Sequence, residues 1–91
     1  MKSLPEGLQA YKRTPEFTRN SVPAGLLRAH TTKPGTWARI VVLEGRLAYR
    51  ILEPREESVV LTPRCEGVVE PQVPHEVEPL GEVRFYVQFY R

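Results

Sequence analysis

The pattern of apolar and polar positions is clearest at the end of the chain, in residues 82–91. There Val83, Phe85, Val87 and Phe89 alternate with Arg84, Tyr86, Gln88 and Tyr90. A period of two sends successive side chains to opposite faces of an extended backbone, so this segment reads as a half-buried strand with its Val/Phe side toward a core. Residues 37–44, WARIVVLE, form the most β-prone run, rich in branched and aromatic residues, and stop at Gly45. The apolar phase restarts at Leu47, Tyr49 and Ile51, which predicts a hairpin with Glu44 and Gly45 in its turn and strands at 37–44 and 46–52. Shorter runs predict strands at 58–61 and 67–70 on either side of the turn-like TPRCEG, and further strands at 24–30, 75–79 and 83–90. Residues 4–19 mix Pro5, Gly7 and Pro15 with Leu8, Tyr11 and Phe17, the pattern of an irregular or short-stranded arm laid on the main body.

No segment sustains a 3.6-residue period, and nine prolines and six glycines interrupt the chain too often for long helices. The expectation is an all-β barrel or sandwich with one hydrophobic core, a single domain over residues 1–91. Such a sheet has edge strands, and the Val/Phe face of the last strand offers apolar surface that a second copy would cover, so a homodimer is expected.

Composition removes several function classes. Thirteen basic and eleven acidic residues are spread without a basic run, which lacks the electrostatic footprint of a nucleic-acid binder. The start of the chain lacks the apolar core of a signal peptide, and no apolar run nears the ~20 residues of a membrane helix, so a cytoplasmic protein without membrane partners is expected. A single cysteine, Cys65, excludes an internal disulfide and any Cys-rich zinc site. The chain contains no aspartate, so Asp-based catalytic triads are excluded and every carboxylate role falls to glutamate.

The candidate chemistry rests on two histidines. His75 lies in EPQVPHEVEP, where Pro71, Pro74 and Pro79 fix φ and bias the preceding residues to extended geometry, making a stiff segment that aims one imidazole. His30 closes residues 23–30 just before the turn TTKPG, and on an extended backbone it shares a face with Arg28. Two imidazoles at strand ends can converge, but they do not complete a metal shell. Gln88, on the polar face of the last strand, is the first candidate for a third ligand. With a metal on the histidines, Arg28 beside His30 would supply positive charge toward an oxyanion, whereas a cavity lined by Trp37, Tyr49 or Tyr86 would instead hold a small molecule.

The stretches LPEGLQAYKRTPEFT, VPAGLLRAHTTKPGTWARIVVLEGRLAYRI and GVVEPQVPHEVEPLGEVRFYVQFYR resemble the TehB/YeaR-like domain family over nearly the whole chain. That family includes a small domain ahead of the methyltransferase in some tellurite-resistance TehB proteins. The resemblance implies a cupin-like, RmlC-like jelly-roll β-barrel. In the wider cupin pattern, His30 and His75 match two motif histidines and Gly45 a motif glycine. Thr32 stands where another histidine falls and Ala38 where the glutamate falls, so two of four expected ligands are replaced. The resemblance thus implies a divalent transition metal such as zinc, iron, nickel or manganese on His30 and His75, in a protein tied to tellurite or oxyanion stress. The alternative is a small-ligand-binding or regulatory module without metal. A dioxygenase would require a two-histidine, one-carboxylate set that the motif position does not supply.

Overall fold

Two long antiparallel strands carry the fold. The computed structural model describes every residue from Met1 to Arg91 and contains β1 (Ala10–Arg13), β2 (Phe17–Thr18), β3 (Trp37–Ile51), β4 (Glu57–Leu61), β5 (Gly67–Val69) and β6 (His75–Tyr90), with one 3-10 turn at Ala24–Leu27. β3 and β6 pair along their whole lengths, from Trp37 opposite Tyr90 to Ile51 opposite His75. β1 and β2 add to the free side of β6, while β5 and β4 add to successive halves of β3. The path β1-β6-β3-β4 leaves β1 and β4 as edges, so this is an open, bent antiparallel sheet and not a closed barrel.

The bend has a cause in residue count. In the first half of β3 the buried positions are Ala38, Ile40 and Val42, and in the second half Leu47, Tyr49 and Ile51. The alternation therefore changes phase between Val42 and Leu47, at two register shifts against β6. An extra residue in one strand of a pair kinks that strand and resets its side-chain parity. Gly45 sits in this kink at φ +81° opposite Val83, and an added Cβ there would lie 2.0 Å from the Glu82 carbonyl oxygen. Only glycine fits that backbone without displacement.

Three expectations are corrected here. The phase reset at Glu44 and Gly45 is a bulge inside one 15-residue strand, not a hairpin turn. Residues 75–79 and 83–90 likewise belong to one strand, β6, with Gly81 at φ +90° between them. Residues 24–30 are not a strand. The Pro23 carbonyl accepts a hydrogen bond from Leu26 N–H at 3.0 Å, closing a 3-10 turn over Ala-Gly-Leu-Leu, a sequence without β-branched residues, and the chain extends again only at Arg28.

Twelve buried apolar side chains make one core, with Tyr49, Phe85, Leu47 and Leu61 among the most enclosed. Phe17 of β2 packs edge-on against Phe85, with ring centroids 5.6 Å apart, which fastens the opening arm to the body. The outer face carries cross-strand charge pairs. Arg50 donates to Glu76 and Glu78, and Arg84 to Glu16 and Glu44. No helix is long and apolar enough to cross a membrane.

Candidate functional site

The inner face of the bent sheet does not fill the space in front of it. A cavity of about 240 Å³ remains. Its walls come from β3 (Ala38, Ile40), β5 (Val69) and β6 (Val77, Phe85, Val87, Phe89), with Phe17 and Leu26 packed over it and His30 and His75 among its polar residues. The Val/Phe alternation of the last strand thus supplies both core and cavity wall.

The two histidines meet through their backbones. His30 N–H donates to the His75 carbonyl at 2.7 Å and His75 N–H to the His30 carbonyl at 2.9 Å, a single antiparallel bridge that holds the residue after the 3-10 turn against the start of β6. The imidazoles then lie edge to face, with centroids 5.4 Å apart. His75 is only 4% exposed, and its Nδ1 lies 3.0 Å from the Val73 carbonyl. A carbonyl only accepts, so that contact places the proton on Nδ1 and leaves Nε2 as a bare acceptor. Nothing in the chain donates to Nε2. Burial lowers the His75 pKa below its ordinary value of 6.5, against the pull of the Val73 hydrogen bond and with the help of the charge on His30. The ring is therefore neutral at pH 7.

Tyr49 closes the site from behind. Its ring meets His75 edge to face at 5.9 Å, and its hydroxyl donates to the Val68 carbonyl at 2.9 Å. Burial first, then the charges of Glu70 and Glu57, pushes its pKa up, so the phenol keeps its proton. Thr32 braces the rim: its hydroxyl donates to the Thr36 carbonyl at 3.0 Å and receives Gln72 N–H at 3.3 Å.

Of the residues expected at the site, His30 and His75 come together with Tyr49 behind His75, and Gln88, Tyr86, Trp37 and Arg28 do not join them. Gln88 lies on the opposite face of β6, where its amide donates to the Lys12 carbonyl at 2.8 Å. Tyr86 lies on that same face under the Arg13 guanidinium, 3.7 Å from the ring centroid. Trp37 starts β3 opposite Tyr90, Arg28 is exposed beyond the 3-10 turn, and Tyr49 stands behind His75 in the core. None of these five lines the cavity. The aromatic wall is instead Phe17, from the opening arm, with Phe85 and Phe89, whose in-facing parity is visible in the sequence although their cavity is not.

The positions compared above with the cupin pattern, His30, Thr32, Ala38 and His75, all line this one cavity. Its two missing ligands are a hydroxyl and a methyl group. No group of three or more His, Cys, Asp or Glu side chains gathers anywhere in the chain, and a resident transition metal ordinarily takes three or four protein ligands. The two imidazoles do not by themselves make that shell, and Gln88, whose amide donates to the Lys12 carbonyl on the opposite face of β6, does not add to it.

Comparison with known proteins agrees with this architecture. A family model described as TehB-like domain matches residues 12–87. The probable S-adenosyl-L-methionine-dependent methyltransferase TehB of Haemophilus influenzae, in two strains, is 34% identical over 79 residues, which are 82% of this chain and 28% of the relative. The chain thus spans little more than a quarter of the curated relatives it matches. The crystal structure of TehB from Haemophilus influenzae superposes with a TM-score of 0.84 at 32% identity, over 93% of this chain and 32% of that one. A structural-genomics crystal structure of an Escherichia coli K12 protein superposes with a TM-score of 0.90 over 100% of this chain and 97% of that chain, at 21% identity, a likeness of fold alone.

Proposed function

The chain belongs to the TehB-like domain family, and on that premise we propose that it is a small-molecule-binding module whose ligand sits in the histidine-lined cavity. The observation that carries this reading is the Nε2 of His75, without a hydrogen-bond partner in the chain, in a neutral and largely enclosed ring that lines a mostly apolar cavity. An acceptor that faces a mostly apolar cavity with no partner in the chain is the one polar handle such a cavity offers a ligand, and a donor placed there gains a hydrogen bond. A ligand with one N–H or O–H donor on an apolar body satisfies this atom. Scaling from the ~150 Å³ that hold benzene, about 240 Å³ accommodates a body of roughly nine or ten non-hydrogen atoms.

The same reading takes residues 1–91 as one domain and the bent sheet as a reduced jelly-roll of the cupin kind. The gathering of the four pattern positions around one cavity supports it. It sets the module in the cytoplasm, as a homodimer, in the tellurite or oxyanion stress setting that the resemblance implies. The proposal concerns this domain alone, which covers 28% of the relatives described as probable methyltransferases.

The test is titration with small phenols followed by the ¹⁵N resonances of the imidazoles. Binding is expected to move the His75 Nε2 signal and the amides of Ile40 and Val87, and His75→Phe is expected to abolish it. Phenols that leave these resonances unmoved up to their solubility limit refute the reading. Elemental analysis of untagged protein is expected to return far less than one transition metal per chain.

A further inference from the structure

A second hollow shares three walls with the cavity. His30, Thr32 and Phe89 line both, and the outer hollow adds Tyr11, Lys12, Thr31, Lys33 and Thr36. Where the inner cavity is apolar, this hollow of about 220 Å³ holds two lysines, three threonines and an imidazole, and no carboxylate. Lys33 and Thr36, the two ends of the Lys33-Pro34-Gly35-Thr36 turn, line one side of it. Thr36 N–H donates to the Lys33 carbonyl at 3.1 Å and Gly35 takes φ +76°, the geometry a Pro-Gly turn of the second type requires.

Its donors are unspent. Thr36 is 8% exposed, yet its hydroxyl has no hydrogen-bond partner in the chain, whereas the Thr32 and Thr14 hydroxyls are bonded. The Thr31 hydroxyl and both ring nitrogens of His30 are equally without partners in the chain, and Lys12 and Lys33 line the hollow with no carboxylate paired to either. Uncompensated donors and cations converging on one concavity are the chemistry of an anion site.

Resting on the reading of the inner cavity as a ligand pocket, we infer that the ligand is a small amphipathic carboxylate. Its body, apolar but for one donor toward His75 Nε2, occupies the inner cavity. Its carboxylate lies in the outer hollow, accepting from the Thr36 hydroxyl and the His30 ring between Lys12 and Lys33. His30 and Phe89, common to both spaces, mark the junction between body and head group.

The experiment pairs 3-(4-hydroxyphenyl)propionate with 3-(4-hydroxyphenyl)propan-1-ol, which share a body carrying the phenolic donor for His75 Nε2 and differ in the charge, and uses acetate as the head group alone. Calorimetry on the full chain is expected to give roughly tenfold tighter binding for the acid than for the alcohol, the equivalent of one charge-assisted hydrogen bond. Acetate is expected to bind far more weakly than either. Lys12→Gln combined with Lys33→Gln, both at exposed positions, is expected to erase the difference while leaving the alcohol's affinity unchanged, and Thr36→Val to reduce it. Equal binding of acid and alcohol, insensitive to the lysine substitutions, overturns the carboxylate assignment and leaves the cavity reading standing. Acetate binding as tightly as the acid also overturns it, because the body then contributes nothing. Failure of acid and alcohol alike to bind overturns both readings.

Discussion

His75 concentrates the site's energetics in one ring. Its pKa is held below 6.5 by burial, so as pH falls from that value the unfolded chain takes up a proton before the folded one does. The unfolded state then binds more protons, and stability, fully present above pH 6.5, declines as pH falls toward the depressed folded value. Urea midpoints measured between pH 8 and pH 5 are expected to drop across this window, and His75→Phe is expected to flatten the curve. An unchanged slope in that variant places the titrating group elsewhere. Ala38 is the complementary residue, since it is 1% exposed and lines the cavity with Thr32. Thr32→His together with Ala38→Glu is expected to raise nickel or zinc affinity by roughly two orders of magnitude, because it adds two strong ligands to two existing imidazoles. Unimproved affinity in a folded double variant means that the four positions do not aim at one point. Both histidines were legible in the sequence because stiff turns flanked them. Gln88, Tyr86 and Trp37 were drawn in because alternation reveals that a strand has two faces without revealing which one encloses space.

At the level of elements, the mistaken hairpin is instructive. A bulge and a tight turn both interrupt alternation, and both favour glycine, so Glu44 and Gly45 carry the same local signal for either. What separates them lies 37 residues downstream, in the Glu82 backbone that runs past Gly45. Two substitutions resolve the contributions. Gly81 has φ +90° with nothing within 4 Å of an added Cβ, so Gly81→Ala carries conformational strain alone, about 1 kcal/mol. Gly45→Ala carries similar strain and a collision with rigid backbone, and is expected to cost roughly 3 kcal/mol or to unfold the chain. Chemical denaturation orders the two. Equal losses mean that β3 and β6 do not approach as closely at the kink as this register places them. The strand at 24–30 failed for a different reason, because parity was read there across a Pro23-initiated turn whose hydrogen bond closes within four residues.

For the whole molecule, the all-β class and single core followed from alternation and frequent prolines, while the closure of the sheet did not. Closure depends on whether β1 and β4 find each other, and edge pairing between distant segments leaves no local trace. The expected reason for dimerisation also changes. Val83, Phe85 and Val87 are buried within one chain, so the Val/Phe face of the last strand is not what a second copy covers. The open edges remain. β1 is blunted by Lys12 and Arg13, and its Tyr11 lies under the Arg91 guanidinium at 4.1 Å. β4 is less guarded: it pairs with β3 on one side, and Val60 is 47% exposed, the most exposed large apolar side chain of any strand. An unpaired backbone edge beside an exposed branched residue is a template for a further strand, and antiparallel pairing of β4 with its own copy satisfies a twofold axis. Light scattering is therefore expected to return twice the 10.4 kDa chain mass at high concentration, and Val60→Lys to return the single chain without loss of secondary structure. A 10.4 kDa species from the unmodified protein at high concentration removes the dimer altogether, and a dimer indifferent to Val60→Lys moves the interface away from β4.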